Sequence, residues 1–218
     1  MTAAASVLSG GLILRPTTAE LAAQLEELQR TCFPTLDDAQ RFKAPHYRKH
    51  VELFPEGQFV VLDHDRVVAA TTTVRRHFDF AEVGHTFADV FAGGWLTSHE
   101  PDGPWLYGLD IGVHPAYRRR GIGTALYAAR HDTVRRLGLK GQITAGIIHD
   151  YGTVKHRMSA EEYYRGIVDG SIVDATLSMQ LAVGFEPRGL LPGYVNDPGC
   201  DNYSVLLVLP ADRPVRQG

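Results

Sequence analysis

The part of the sequence best suited to chemistry is a basic turn, Arg118-Arg119-Arg120-Gly121-Ile122-Gly123. Its three arginines concentrate cationic side chains at one point of the chain. Its two glycines lack Cβ atoms, so backbone amides there can approach a ligand closely. A helix that begins at Gly121 would add unpaired N–H groups and about half a positive charge. These features predict a cradle for a diphosphate.

The same residues have a simpler interpretation, in which the arginines form a solvated basic surface beside an ordinary helix start. Two familiar phosphate-binding patterns are excluded, because the stretch contains neither G-x-x-x-x-G-K-[ST] nor G-x-G-x-x-G. The spacing is R-x-x-G-x-G, and it follows a segment that ends Val113-x-Pro115. The residues of the turn therefore leave an anion site and a basic surface both open.

The elements on either side of the turn would position it. A strand is predicted over 105–113, and Pro115 ends it because proline has no N–H for a sheet ladder. Apolar residues then recur at helical spacing from Ile122 to Leu137, and Gly138 is a C-terminal stop. A further strand is predicted over 142–148. The unit therefore predicts a right-handed crossover between two parallel strands.

The rest of the chain alternates predicted strands and helices. Further strands are expected at 12–14, 58–62, 67–74 and 203–209, with another that begins at Phe185. Further helices are expected between Thr17 and Pro34 and at 45–53, 85–91, 159–168 and 173–182. The pattern predicts one α/β (α+β) domain, whose mixed and mostly antiparallel sheet has helices on both faces.

The central stretch resembles the acyl-coenzyme A binding motif of the GNAT acetyltransferase superfamily. That motif is a strand ending in V-x-P, followed by an arginine and a G-x-G or G-x-A that opens a helix. The positions are filled here without a gap by Val113, Pro115, Tyr117, Arg118, Gly121 and Gly123. The resemblance extends from about Leu12 to Leu209. It implies a single GNAT-type domain over 11–209 with a splayed pair of central strands.

The resemblance also implies the co-substrate, acetyl-CoA, and the residues that hold it. Backbone groups of Ile111, Gly112 and Val113 would pair with the pantetheine arm, and the missing side chain of Gly112 would permit its close approach. An ordinary strand glycine is the alternative at that position. The diphosphate would be held by the turn and the helix start, at Arg118, Arg119, Arg120, Gly121, Ile122, Gly123 and Thr124.

By resemblance, the reaction is acyl transfer from a thioester to an amine. A lysine-type amine has a pKa near 10.4, so deprotonation at neutral pH costs roughly 4 kcal/mol and calls for a general base. Asp110 is the first candidate for that base, because it lies on the central strand where many family members carry a glutamate. A structural hydrogen-bond acceptor is the alternative for Asp110. Tyr107 is a weaker candidate base.

The general acid cannot be carried over from the family. Members often carry a tyrosine four residues before a Gly-Phe pair, but Gln180 stands at that distance from Gly184-Phe185. The family's asparagine at the start of this helix is also missing, and Val173 stands there. Tyr151 is a candidate for the general acid, and Tyr163, Tyr164 and solvent are the alternatives. A thiol leaving group has a pKa near 8.5 by analogy with cysteine, so an acid is helpful but not essential.

Two smaller observations concern the region after the second parallel strand. The segment from Met158 to Asp197 is longer than the usual family connection, and it resembles the acetyltransferase part of proteins fused to a nitrilase-like amidase. His149, Asp150 and His156 lie close in sequence, but their spacing is not a recognised zinc pattern. We therefore expect no metal.

Composition excludes several classes of protein. The 218 residues suffice for one domain with a full core, and a net charge of −3 argues against nucleic acid as the main partner. No apolar run has the length of a membrane span, and the first ten residues lack a secretory signal's basic region. Two cysteines, Cys32 and Cys200, suit a reducing compartment. We expect a cytoplasmic protein with disordered residues 1–10 and a tail at 210–218. A homodimer stays open.

The predicted function is an acetyl-CoA-dependent N-acetyltransferase acting on a primary amine of a small molecule or a protein. An acyl-CoA-binding regulatory module without turnover is the alternative, because Gln180 stands where the family often has a tyrosine. A nucleic-acid binder built on the arginine run is disfavoured by the negative net charge. The acceptor itself is not encoded in any readable motif.

Overall fold

One mixed sheet organises the described residues, 5–81 and 84–216 of the computed structural model. It has eight strands in the spatial order β1-β2-β3-β4-β5-β6-β8-β7. In chain order these are Ser6–Val7 (β1), Ile13–Pro16 (β2), Phe59–Asp63 (β3), Arg66–Arg76 (β4), Trp105–Val113 (β5), Gly141–Ile147 (β6), Glu186–Leu191 (β7) and Ser204–Pro210 (β8). The mixed, mostly antiparallel sheet predicted from the sequence is confirmed.

The β5–β6 pair is parallel, whereas the other neighbouring strands of the described sheet run antiparallel. Parallel neighbours need a long connection, and a helix supplies it here. The seven α-helices of the described residues are Ala22–Cys32 (α1), Ala44–Leu53 (α2), Phe87–Phe91 (α3), Ile122–Arg136 (α4), Tyr151–Val154 (α5), Ala160–Asp169 (α6) and Leu177–Val183 (α7). The predicted strand–helix–strand unit around the basic turn is therefore present as β5–α4–β6.

Successive side chains of each strand point to opposite faces of the sheet, so helices pack on both faces. On one face, Val60 and Leu62 of β3 belong to the cluster that contains Leu25 of α1. On the other face, Val61 of β3 packs in the cluster that contains Leu126 of α4. Helix α4 is thus pinned to the sheet along its length, which fixes where its N-terminus lies. Among the described residues, no helix is long and apolar enough to cross a membrane.

As far as the structure describes them, segments near both chain ends pair with the rest of the domain. Ser6–Val7 pairs with Ile13 and Leu14 as strand β1. At the other end, the N–H of Arg216 donates to the carbonyl of Val183 over 2.8 Å. Backbone pairing with the domain stabilises these segments, a constraint that their polar and small residues do not reveal. Residues 1–4 and 217–218 lie outside the described residues.

Helix α7 begins four residues later than the predicted 173, because Asp174 caps it. Oδ1 of the fully buried Asp174 accepts the N–H groups of Thr176 and Leu177, each over 2.9 Å. Its Oδ2 accepts the Tyr163 hydroxyl of α6 and the Asp150 N–H of the loop after β6. One carboxylate therefore ties α6, α7 and that loop together.

Replacing Asp174 with alanine should lower the free energy of unfolding by about 2 to 4 kcal/mol, because it removes a helix cap and leaves buried donors unsatisfied. Chemical denaturation followed by circular dichroism measures the change. Asp102→Ala, which removes an exposed carboxylate, is the matched control and should stay within about 0.5 kcal/mol of the wild type. Equal stabilities for the two variants would contradict the role given to Asp174.

Candidate active site

The two parallel strands separate partway along their length. Their pairing runs from Trp105 with Gly141 to Gly108 with Thr144 and ends there. Both strands continue, β5 to Val113 and β6 to Ile147. Residues 110–113 of β5 therefore keep their pairing with β4, and residues 109–113 have no pairing with β6. The opening, which we call the splay, frees backbone N–H and C=O groups that must find other partners.

A bulge in β5 coincides with the start of the splay. Thr72 of β4 pairs with Asp110 and Thr73 pairs with Gly108, so Leu109 is the extra residue on β5. A bulge bends its strand and increases its twist, which turns β5 away from β6. The Thr71 hydroxyl donates to the carbonyl of Asp110 over 2.7 Å and fastens the bent strand to β4.

The basic turn joins the open end of β5 to α4. It begins with a 3-10 turn at Pro115–Tyr117, and the Tyr117 hydroxyl donates to the Asp63 carboxylate over 2.7 Å. The backbone then enters the left-handed region at Arg119, with φ of 60°, and at Gly121, with φ of 75°. Glycine adopts that conformation without strain, so Gly121 is the residue that lets the turn enter the helix.

The N-terminus of α4 is exposed at this turn and has no side-chain cap. Its N-cap residue, Gly121, carries no side chain, and a Cβ built there would meet nothing within 4 Å. The amides of Ile122, Gly123 and Thr124 belong to the first helical turn, where no carbonyl of the helix is available to accept them. These amides and the positive end of the helix dipole are suited to bind an anion.

The three arginines of the turn all lie on the surface. Nε of Arg118 donates to the carbonyl of Val113 over 3.2 Å, which links the turn to the end of β5. The Arg120 guanidinium donates to the carbonyl of Ala116 and lies 5.1 Å from the ring centroid of Tyr117. Arg118 and Arg120 thus stiffen the turn while their charge stays beside the helix start.

Gly112 packs closely against the end of α1. A Cβ on this residue would lie 3.2 Å from Sγ of Cys32 and 3.5 Å from the Phe33 ring. Its missing side chain therefore makes room for the C-terminal end of α1. The backbone groups of Gly112 still belong to the open part of β5.

Asp110 lies half-buried at the bulge, and its carboxylate turns towards β4. Its Oδ1 accepts the backbone N–H of Thr72 over 2.7 Å. Burial raises the pKa of this carboxyl to about 6, although the Arg130 guanidinium and the Thr72 hydrogen bond act in the opposite direction. Asp110 therefore has both of the properties considered for it, a structural hydrogen bond and a proton affinity suited to general-base chemistry near neutral pH.

Tyr107 belongs to a buried chain of polar groups. Its hydroxyl is 2.7 Å from Nε2 of His85 and 2.9 Å from the hydroxyl of Tyr194. Burial raises the pKa of both phenols, so both remain protonated near neutral pH. The chain connects β5, just before the bulge, with two loops that sequence reasoning could not relate to each other.

Tyr151, the candidate acid, packs against the helix that follows it. It forms part of α5, its hydroxyl donates to the carbonyl of Met158 over 3.3 Å, and its ring packs 5.4 Å from that of Tyr163. The Tyr163 hydroxyl is bound to the Asp174 carboxylate. Both phenols therefore link α5 with α6, and the role of Tyr151 as the acid stays a prediction.

The side chains that sequence reasoning missed are Arg130 and Tyr127 of α4, which lie buried against the splay with Gln180 of α7. Nε2 of Gln180 donates to the Tyr127 hydroxyl over 2.8 Å. An arginine in an amphipathic helix normally lies on the solvent-exposed face, so the sequence pattern did not predict the burial of Arg130. In the described part of the chain, no group of three or more histidine, cysteine, aspartate or glutamate side chains could hold a metal ion.

A cavity of about 650 Å³ lies elsewhere, between the first two strands and the outer side of α4. Leu8, Leu14 and Ala129 contribute apolar walls, and the cavity touches the basic turn at Arg120 and Gly121. It is separate from the splay, because none of its lining residues belongs to β5 or β6.

Comparison with known proteins identifies the family. The profile of the acetyltransferase (GNAT) family matches residues 22–164, which include α1, the bulge, the basic turn and both parallel strands. The chain belongs to the GNAT acetyltransferase family. The resemblance seen in the cradle motif is therefore confirmed: the chain carries an acyltransferase domain of the N-acetyltransferase type.

Two curated relatives come from Bacillus subtilis (strain 168). The protein named Probable hydrolase YhcX is 38% identical over 171 residues, which are 78% of this chain and 33% of YhcX. The chain thus spans about a third of that relative's length. The uncharacterized N-acetyltransferase YkwB is 30% identical over 197 residues, which are 90% of this chain and 87% of YkwB.

Among solved structures, the GphF GNAT-like decarboxylase in complex with isobutyryl-CoA has a similar fold. The TM-score is 0.78 at 23% sequence identity, and the alignment covers 91% of this chain and 98% of GphF. At this identity the likeness concerns the fold, a single GNAT-like domain.

The raised pKa of Asp110 predicts a pH-dependent stability. Because the folded carboxyl, with a pKa of about 6, binds its proton more tightly than the unfolded one, near 3.8, its contribution is fully present below pH 3.8. The contribution is lost as the pH rises through about 6. Relative to Asp110→Asn, which does not titrate, the wild type should lose about 1 to 3 kcal/mol between pH 4 and pH 7. Urea titrations of both proteins across this range measure the difference, and parallel curves would contradict the raised pKa.

Proposed function

We propose that this protein is an acetyl-CoA-dependent N-acetyltransferase that moves an acetyl group to a primary amine of a small molecule or a protein. The observation that carries the proposal is the combination of the splay with the exposed N-terminus of α4 at its open end. A strand edge freed from its neighbour can pair with the amides of a pantetheine arm. Exposed helix amides beside three arginines can bind a diphosphate.

The residues present fit such a co-substrate. We assign the pantetheine arm to backbone groups of Ile111, Gly112 and Val113, which have lost β6 as a partner. We assign the diphosphate to the turn and the helix start, at Arg118, Arg119, Arg120, Gly121, Ile122, Gly123 and Thr124. The open space around Gly121 supports this assignment, because nothing lies within 4 Å of a Cβ built there.

Asp110 is the proposed general base. Bound acetyl-CoA supplies the acetyl group as a thioester, and the chain's own task is to remove a proton from the acceptor amine. With a pKa of about 6, Asp110 is ionised at pH 7 and is a stronger base than an ordinary surface carboxylate. Its bond to the Thr72 N–H fixes the side chain, so a water molecule is the proposed link to the amine.

The buried chain of Tyr107, His85 and Tyr194 forms part of the proposed acceptor wall. His85 lies in the long segment between β4 and β5, and its contact with Tyr107 brings that segment to β5. A thiol with a pKa near 8.5 is an adequate leaving group. In this proposal solvent therefore supplies the proton that the departing thiolate takes up.

Decarboxylation of a carboxylated acyl-CoA is a second candidate, favoured by the high structural similarity to the GphF decarboxylase. In that reaction the bond between the α-carbon and the carboxylate breaks, and its electron pair stays on the α-carbon, which then takes a proton. Carbon dioxide leaves, and the acyl-CoA is one carbon shorter. The same site would bind the CoA portion in either reaction.

Gly121→Glu should weaken acetyl-CoA binding by more than about tenfold, because a carboxylate would enter the diphosphate cradle and repel it. Gly138→Glu is a matched control at the other end of α4. Gly121 and Gly138 have φ of +75° and +64°, and a Cβ on either meets nothing within 4 Å. The two substitutions therefore carry a similar backbone penalty. Calorimetric titration should show loss of binding in Gly121→Glu alone.

Two results would overturn the assignment of the cradle. Absence of acetyl-CoA binding by the wild-type protein would contradict the proposed function. Equal weakening by Gly121→Glu and Gly138→Glu would indicate that strain in the helix, and not charge in a cradle, is responsible.

Turnover separates the candidate reactions. Wild-type protein with acetyl-CoA and a panel of primary amines should release free CoA, and the rate should rise with pH through about 6 as Asp110 ionises. Asp110→Asn should lose that pH dependence along with most of the rate. Conversion of malonyl-CoA to acetyl-CoA, with no amine acetylated, would favour the decarboxylase. Binding of acetyl-CoA without either reaction would favour the regulatory module.

A further inference from the structure

Arg130 is a buried cation at the start of the splay. The residue lies in the middle of α4 and is only 1% exposed. Its guanidinium packs against Gly108, where a Cβ would overlap it, and it donates to the carbonyl of Asp110. Burial lowers the pKa of this guanidinium from its ordinary value. A fold rarely places a charge at such a cost without a local need for it.

Two further side chains continue from Arg130 towards β6. The guanidinium carbon lies 5.3 Å from the ring centroid of Tyr127, one helical turn earlier on α4. The Tyr127 hydroxyl accepts from Nε2 of Gln180, and the carboxamide oxygen of Gln180 packs against Gly146, where a Cβ would overlap it. We call Arg130, Tyr127 and Gln180 the wedge. All three are fully or almost fully buried.

The ends of the wedge coincide with the place where the strands separate. Gly108 is the last residue of β5 that pairs with β6, and its partner is Thr144. Gly146 lies two residues further along β6, in the part that has left β5. A glycine on each strand thus makes room for one end of the wedge. The wedge therefore extends from the closed part of the strand pair to the open part.

The wedge also provides a hydrogen-bond donor for a backbone carbonyl in the splay. The carbonyl of Asp110 lies beyond the last β5–β6 pair, and the Arg130 guanidinium supplies a donor for it. Two wedge atoms can form further hydrogen bonds, because Nε of Arg130 and Oε1 of Gln180 are buried without a hydrogen-bond partner among the described residues. Unpartnered buried polar atoms are costly, and a ligand in the splay is one way in which they gain partners.

We propose that the wedge is a positioning device that holds β5 and β6 apart and thereby sets the affinity of the site for the pantetheine arm. This inference rests on the proposed function, since it concerns the same acyl-CoA site. It gives Gln180, which stands where the family often has a tyrosine, a role in shaping the site. It also separates two parts of binding, because the wedge acts on the arm and the basic turn acts on the diphosphate.

The test compares two ligands by calorimetry, CoA and its nucleotide half, 3′-phospho-ADP, which lacks the arm. Arg130→Met and Gln180→Leu should each weaken CoA binding by about tenfold, the effect of losing one buried hydrogen bond. Binding of 3′-phospho-ADP should stay within about twofold of wild type, a change of at most roughly 0.4 kcal/mol. Arg130→Lys, which keeps the charge and can still donate a hydrogen bond, should retain part of the CoA affinity that Arg130→Met loses. Arg135→Met, an exposed position on the same helix, is the matched control.

A second experiment covers the case in which Arg130→Met does not fold. Gly108→Ala keeps Arg130 but places a Cβ against its guanidinium, so it should weaken CoA binding and leave the binding of 3′-phospho-ADP within about twofold of wild type. Folded Gly108→Ala protein that binds CoA as tightly as the wild type would overturn the wedge, because the contact between Gly108 and Arg130 would then not affect the site.

The outcomes distinguish the wedge from the proposed function. Wild-type protein that binds neither ligand overturns the proposed function and the wedge with it. Wild-type protein that binds CoA, together with folded wedge variants that bind CoA as tightly, overturns the wedge alone. Equal losses for CoA and 3′-phospho-ADP in the folded variants also overturn it, because the effect would then not be specific to the arm.

Discussion

The architecture depends on the end of the β5–β6 hydrogen-bond ladder after Gly108 and Thr144. A sheet that stops pairing in its centre leaves backbone groups that cost free energy unless they are satisfied. Part of that demand is met internally, because the Thr71 hydroxyl and the Arg130 guanidinium both donate to the carbonyl of Asp110. The backbone groups of β5 that stay unpaired face the open space, and they form the strand edge to which a ligand can bind.

Charge is distributed along the site in a consistent order. The exposed arginines and the helix dipole lie at the open end, where an anion keeps access to solvent. Uncharged backbone occupies the middle of the splay. At its closed end the half-buried Asp110 lies near the buried Arg130, and each influences the pKa of the other. Buried charges are expensive, so their position at the centre of the sheet supports a functional reason for keeping them.

The sequence predicted what local rules encode. The strand at 105–113, the helix stop at Gly138, the helix start at Ser159 and the parallel crossover all follow from periodicity and from turn chemistry, and the structure has them. Long-range contacts were not predictable in the same way. The packing of Gly112 against α1 and the burial of Arg130 depend on residues far away in the chain, and neither glycine spacing nor a single arginine in a helix signals them.

Amide hydrogen exchange of the wild-type protein, with and without saturating CoA, tests most directly whether the splay and the basic turn form the acyl-CoA site. The account predicts slower exchange on binding in two segments, 109–113 of β5 and 119–124 at the start of α4, because their N–H groups acquire ligand acceptors. Protection confined to the cavity around Leu8, Leu14 and Ala129, with 109–113 unchanged, would contradict it.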